Sequence, residues 1–103
     1  MISLKKIVGI SACITGIAHT YLAAEALKEA GKSLHVEVKI ETHGAIGVEN
    51  KLSYRDIDDS LGVIIASDIV IDEQRFMNKK LIKVSTHEAI KHPKKIIKYF
   101  IED

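Results

Sequence analysis

Cys13 is the only cysteine of the chain, and it stands in Ser11-Ala12-Cys13-Ile14-Thr15-Gly16-Ile17-Ala18-His19-Thr20. An apolar run precedes this segment and a stretch of strong helix formers follows it. A thiol just ahead of a helix faces main-chain N–H groups and a partial positive charge, both of which stabilise an anion. Such surroundings lower a cysteine pKa from about 8.5 into a range of about 3.5–7.5, which turns a mostly neutral thiol into a nucleophile. The same N–H array fits a phosphoryl group, with Gly16 allowing a tight turn and Thr15 and Thr20 supplying hydroxyls. Cysteine more commonly fills space as a small buried hydrophobe, but this position favours a nucleophile that carries a covalent phosphoryl group.

A cysteine phosphatase needs an arginine six residues after the nucleophile to clamp the phosphate. His19 occupies that place. The loop is therefore better suited to holding a phosphoryl group for another acceptor than to hydrolysing it. A phosphatase-like enzyme and a non-transferring binding or regulatory module are the alternatives.

The elements around the loop alternate. Ile7–Ile10 is a short apolar run, as in a strand buried on both faces. Ala18–Ala30 predicts a helix, with Ala18, Leu22, Ala26 and Ala30 at i+4 spacing and Gly31 as a left-handed stop. Leu34–Glu41 alternates apolar and polar residues, predicting a strand with one polar face. Gly44 and Gly47 then mark a loop. Ser53 and Asp56 form a capping box for a short helix reaching about Leu61. Val63–Ala66 is a second central strand, Asp72–Met77 one helical turn, and Leu81–Val84 a fourth strand. Ser85 and Glu88 open a last helical region, and Pro93 suits the first turn of a helix over Lys94–Ile101. This order predicts a single α/β domain over residues 1–103, a three-layer sandwich with a four-stranded parallel sheet and helices on both faces. The loops Ser11–Ile17, Thr42–Val48, Ser67–Ile71 and Ser85–Thr86 then share the carboxyl edge of the sheet, where open α/β folds bind ligands.

Composition agrees with a globular domain: of 103 residues, 47% are apolar and 28% charged. With 15 Lys and Arg against 14 Asp and Glu, the net charge is +1, which excludes binding of nucleic acid by bulk phosphate attraction. One cysteine permits no intramolecular disulfide, which fits a reducing compartment. Ile7–Ala24 imitates a signal peptide but carries Ser11, Thr15, His19 and Thr20, and its loss would remove the first strand and the cysteine. It is read as structure. His35, His87 and His92 have no metal-ligand spacing, and no cofactor is expected.

The segment Cys13–Thr20 resembles the phosphorylation loop of the fructose-type IIB domains of the bacterial phosphoenolpyruvate-dependent sugar phosphotransferase system. The likeness continues through Ala23–Leu27, Val38–Gly47, Ala66-Ser67-Asp68 and Arg75-Phe76, essentially the whole chain. It implies a cytoplasmic carrier, associated with the membrane permease, in which Cys13 accepts a phosphoryl group from a IIA phosphohistidine. The group then passes to fructose or a similar sugar bound by the IIC permease. Ile14, Thr15, Gly16, Ile17, Ala18, His19 and Thr20 would form the phosphate-binding loop, with no metal. His43, Gly44, Asp68 and Arg75 are candidates for the rim that meets partners. For Arg75 an ion pair is the other reading, and for His19 a structural role beside Cys13. Three positions depart from the family pattern: Ile14 replaces the usual proline, His43 a common glutamine, and Leu61-Gly62 a frequent Ala-Asp.

Overall fold

The computed structural model describes residues 5–15 and 17–102. The chain forms β1 (Lys5–Ala12), α1 (Ala18–Ser33), β2 (Val36–Gly44), β3 (Gly47–Glu49), α2 (Tyr54–Asp58), β4 (Val63–Ser67), β5 (Leu81–Val84), α3 (Thr86–Lys91) and α4 (Pro93–Ile101), with a 3-10 turn at Gln74–Phe76. The sheet order is β3-β2-β1-β4-β5. β1, β2, β4 and β5 run parallel, so their carboxyl ends share one edge as the alternating pattern predicts.

The sheet has five strands, one more than the four expected. The addition is β3, antiparallel to the end of β2 through the pairs Thr42↔Glu49 and Gly44↔Gly47. Gly44, read from the sequence as a loop breaker, is the last residue of β2. The tight turn needs Gly47, whose φ of 105° is open to glycine without strain. A three-residue exposed strand has neither the length nor the apolar alternation that announces a strand in sequence.

Side chains alternate across the sheet and divide the core into two layers. Ile7, Ile40 and Ile64 pack under α1, α3 and α4 with Leu27, Ala89, Ile96 and Ile97. Val8, Ile10 and Ile65 pack with Leu52, Ile57 and Phe76 on the side of α2 and the 3-10 turn. Across that second face Asp56 accepts hydrogen bonds from Lys6 and Lys39, both at 2.8 Å. These two bonds, Lys39 first, hold the Asp56 carboxyl well below the usual carboxylate range.

Gly31 is not the stop of α1. The helix continues to Ser33, and His35, at φ 59°, takes the left-handed position after it. The buried face is Thr20, Ala23, Ala24, Leu27, Ala30 and Gly31, whereas Leu22 of the i+4 row lies exposed. These small residues bring α1 close to β2. A methyl group at Gly31 would stand 2.4 Å from Val38 Cγ2 and 2.8 Å from the Val36 carbonyl oxygen. Ser53 does form the reciprocal capping box with Asp56, Ser85 accepts from the Glu88 N–H, and Pro93 occupies the first turn of α4.

The substitution Gly31→Ala therefore tests the helix–sheet contact. Helix propensity alone would make it stabilising, but crowding against backbone is expected to lower the unfolding free energy by about 1–3 kcal/mol. Urea denaturation measures this, and a gain in stability would show that the helix can shift away at no cost.

Candidate functional site

Two short links join β1 to α1 around the sulfur. Ser11 Oγ donates to the Thr20 carbonyl oxygen at 2.7 Å, and Thr20 Oγ1 donates to Cys13 Sγ at 3.1 Å. Ser11 and Thr20 are fully buried, so these contacts form away from competing water. Thr15 Oγ1 stands 3.5 Å from the sulfur on the outer side. Cys13 itself is 6% exposed, beneath Ile14, Thr15, Ile17, Ala18 and His19, all of them exposed. Among its neighbours are the Thr15 and Thr20 hydroxyls, close to the start of α1.

The amino end of α1 adds the electrostatics. The 16-residue helix begins after Ile17 with no side-chain cap and no acidic residue in its first turn. Its terminal N–H groups and the positive end of its dipole are thus not neutralised by a carboxylate there. Gly16, assigned to the loop from the sequence, lies outside the described residues. His19 is on the second position of α1, exposed, and its ring makes no hydrogen bond among the described residues. Thr20 turns inward and holds the sulfur, while Ile14 and Ile17 project outward, 82% and 58% exposed.

A second constellation lies at the same edge on the opposite face of the sheet. Glu41 is buried, and its carboxylate accepts Arg75 Nη1 at 3.1 Å, Arg75 Nη2 at 2.9 Å, His43 Nε2 at 2.6 Å and the Leu52 N–H at 2.9 Å. Burial pushes the Glu41 carboxyl up, but the hydrogen bonds from Arg75, His43 and Leu52 outweigh it and hold the group at about 2, against an ordinary 4.5. Arg75 also donates to the Leu52 carbonyl oxygen at 3.3 Å. Of its two readings, the ion pair is what the geometry contains, and it staples the segment before α2 to the 3-10 turn. His43 is held by Glu41 through Nε2 and keeps a partly exposed edge. Gly44 follows it, entering the hairpin.

Asp68 is also engaged internally. Its carboxylate accepts the Thr86 N–H at 3.1 Å and the Thr86 hydroxyl at 2.6 Å, and its own N–H donates to the Ala12 carbonyl oxygen at 3.2 Å. It therefore ties β1, the end of β4 and the start of α3 together beneath the loop. Sequence reasoning singled out Asp68 and Arg75 but not their partners, Thr86 and Glu41, nor Ser11. The one available signal for Glu41 was a carboxylate late in a strand whose neighbours become buried. Among the described residues, no group of three His, Cys, Asp or Glu side chains is placed to hold a metal ion.

Two tests follow from this geometry. A hydrogen bond to the charged form favours that form, so Thr20→Val is expected to need more alkaline pH than the wild type for a given rate of alkylation by iodoacetamide. Superimposable pH–rate profiles would remove Thr20 from the sulfur's environment. Arg75→Met leaves a buried carboxylate without its guanidinium and is expected to cost about 3–5 kcal/mol in urea denaturation. Adding Glu41→Gln should restore part of that loss. The native Glu41 contribution is complete above pH 4.5 and fades as pH falls towards 2, so Glu41→Gln alone should flatten this acid limb.

Comparisons with known proteins place the chain as a whole. The family model described as the PTS system lactose/cellobiose specific IIB subunit matches residues 8–99. The fructose-specific EIIABC component of Bacillus subtilis is 42% identical over 92 residues, 89% of this chain and 14% of that protein. The chain thus spans about a seventh of that relative. The fructose-like EIIB component 2 of Escherichia coli is 45% identical over 89 residues, 85% of this chain and 84% of that one. Among solved structures, a domain of the fructose-specific IIABC component of Borrelia burgdorferi matches with a TM-score of 0.90 at 43% identity, covering 93% of this chain and 92% of that one. A relation this extensive in sequence and backbone means that the chain belongs to the IIB family of the sugar phosphotransferase system, among its fructose-type members.

Proposed function

We propose that this chain is a phosphoryl carrier in which Cys13 takes a phosphoryl group from a IIA phosphohistidine and hands it to a sugar, fructose or a similar one, bound by a IIC permease. The observation that carries the reading is the Thr20 hydroxyl donating to Cys13 Sγ at the amino end of an uncapped helix. In the first step the thiolate attacks phosphorus, an S–P bond forms and the P–N bond to imidazole breaks. The other nitrogen of the phosphohistidine ring carries a proton, so the leaving nitrogen keeps the bonding electrons and departs as neutral imidazole. In the second step a sugar hydroxyl oxygen attacks phosphorus, the S–P bond breaks, and the thiolate is regenerated as the hydroxyl proton passes to base or solvent.

The loop residues suit the phosphorylated state. N–H groups at the start of α1 and the Thr15 hydroxyl are donors at the outer side of the sulfur, where the three phosphoryl oxygens would lie. Charge-assisted bonds of this kind are each worth about 1.5–3 kcal/mol. With His19 in the sixth place after Cys13, the loop has no guanidinium to clamp a hydrolytic transition state, which favours transfer over phosphate release.

The surroundings suit docking. Ile14, Ile17, Ile46, Val48, Ile69 and Val70 are all exposed and belong to the segments that leave β1, β2 and β4 at the carboxyl edge. An apolar rim around a recessed sulfur can receive one protein and then another through modest, transient contacts. No helix among the described residues is long and apolar enough to cross a membrane, so sugar passage belongs to the permease partner in this reading. His43 and Gly44 border this rim, while Asp68 and Arg75 support it from beneath.

Incubation with the phosphorylated IIA part of the Bacillus subtilis relative, followed by intact-mass analysis, tests the proposal. The wild type should gain one phosphoryl group, and Cys13→Ser should lose capture while keeping its circular dichroism spectrum. Undiminished capture by Cys13→Ser would overturn the assignment, and steady release of inorganic phosphate by the wild type would favour the phosphatase alternative.

A further inference from the structure

Thr42 is the residue of the β2 end that neither constellation uses. It pairs in register with Ser11 of β1. On β2, Val38 meets Gly31 of α1 and Ile40 joins the core under α1. Two-residue alternation then places Thr42 on that same face. Ser11 shares it, since its hydroxyl reaches Thr20 of α1. Cys13 lies two residues beyond Ser11 and also turns to Thr20. Thr42 therefore stands on the neighbouring strand, on the side of the sulfur.

Its hydroxyl is out of place there. Thr42 is 4% exposed, and its Oγ1 has no hydrogen-bond partner among the described residues. Native proteins satisfy nearly all such groups, and an exception calls for a reason. Valine would fill the same volume without a stranded polar atom. Tyr21, next to Thr20 on α1, carries a second buried hydroxyl with no partner among the described residues.

We infer that Thr42 is a phosphoryl-contacting residue, whose hydroxyl donates to an oxygen of the group carried on Cys13. The inference rests on the carrier reading above. Diagonal neighbours on one face of a sheet stand about 7–8 Å apart between backbones, and Cys13 is the first residue past the end of β1. A phosphoryl group places its oxygens two bonds beyond the sulfur and spans much of that interval. The threonine proton stays on Oγ1, so the contact stabilises the phosphocysteine without joining the transfer of atoms.

The test compares wild type, Thr42→Val and Thr42→Ser with the same phosphorylated IIA donor, reading the equilibrium fraction of phosphocysteine by intact mass and the urea midpoint of the unmodified chains. Thr42→Val should resist urea at least as well as the wild type, because it removes a stranded hydroxyl, yet its equilibrium constant for phosphoryl capture should fall about tenfold. Thr42→Ser, which keeps a hydroxyl, should capture like the wild type. Equal capture by Thr42→Val, or a fall in capture matched by a fall in urea midpoint, would overturn the assignment. A wild-type chain that accepts no phosphoryl group would instead overturn the carrier reading, and this one with it.

Discussion

The sulfur of Cys13 accepts from the buried Thr20 hydroxyl, and the backbone carbonyl of the same residue is held in turn by a strand. Ser11 at the end of β1 anchors the Thr20 carbonyl, and Thr20 anchors the thiol. This coupling ties the start of α1 to β1 and brings the helix terminus beside the sulfur. A loop alone could not do so, because five described residues around the cysteine are exposed and have little packing to define them. The setting of the sulfur therefore depends on two fully buried polar side chains, Ser11 and Thr20.

Beneath the loop, the rest of the carboxyl edge is built from internally satisfied charges. Asp68 secures α3, and Glu41 gathers Arg75, His43 and the Leu52 N–H. Each of these groups makes hydrogen bonds within the domain, and His43 also keeps a partly exposed edge. What remains on the outside of the rim is mainly aliphatic, from Ile14 to Val70. The division is physically sensible: buried charges specify the shape of the edge, while weakly directional apolar contacts leave it able to meet more than one partner.

Much of this was legible in the sequence, and the reasons differ by element. The buried strands β1 and β4 announce themselves as apolar runs, and α2 by the Ser53–Asp56 box, because those signals are local. The position of Cys13 between a strand and a helix was readable from the apolar run before it and the helix formers after it. Gly31 misled because glycine has two uses. Its stop role depends on φ, its packing role on the distance to a neighbour, and only the fold reveals that Val38 lies against it. β3 was hidden because three exposed residues carry no pattern. The Glu41–Arg75 pair joins residues 34 positions apart, and nothing in the spacing of single charges predicts which will meet.

The short β3 has one more consequence. It pairs with β2 only from Thr42 to Gly44, so the stretch from Val36 to Glu41 has no strand neighbour on its outer side. Such a border is a template on which another copy of the molecule could polymerise. Here Glu37 and Lys39 alternate along it, and Lys39 is drawn to Asp56 rather than extended. Charges of opposite sign at every second residue make stacking of an identical strand in register unfavourable, with like charges opposed. The hairpin and these two residues together guard that border of the sheet, while the exposed Ile14, Ile46 and Val70 lie elsewhere, past the carboxyl ends of the strands.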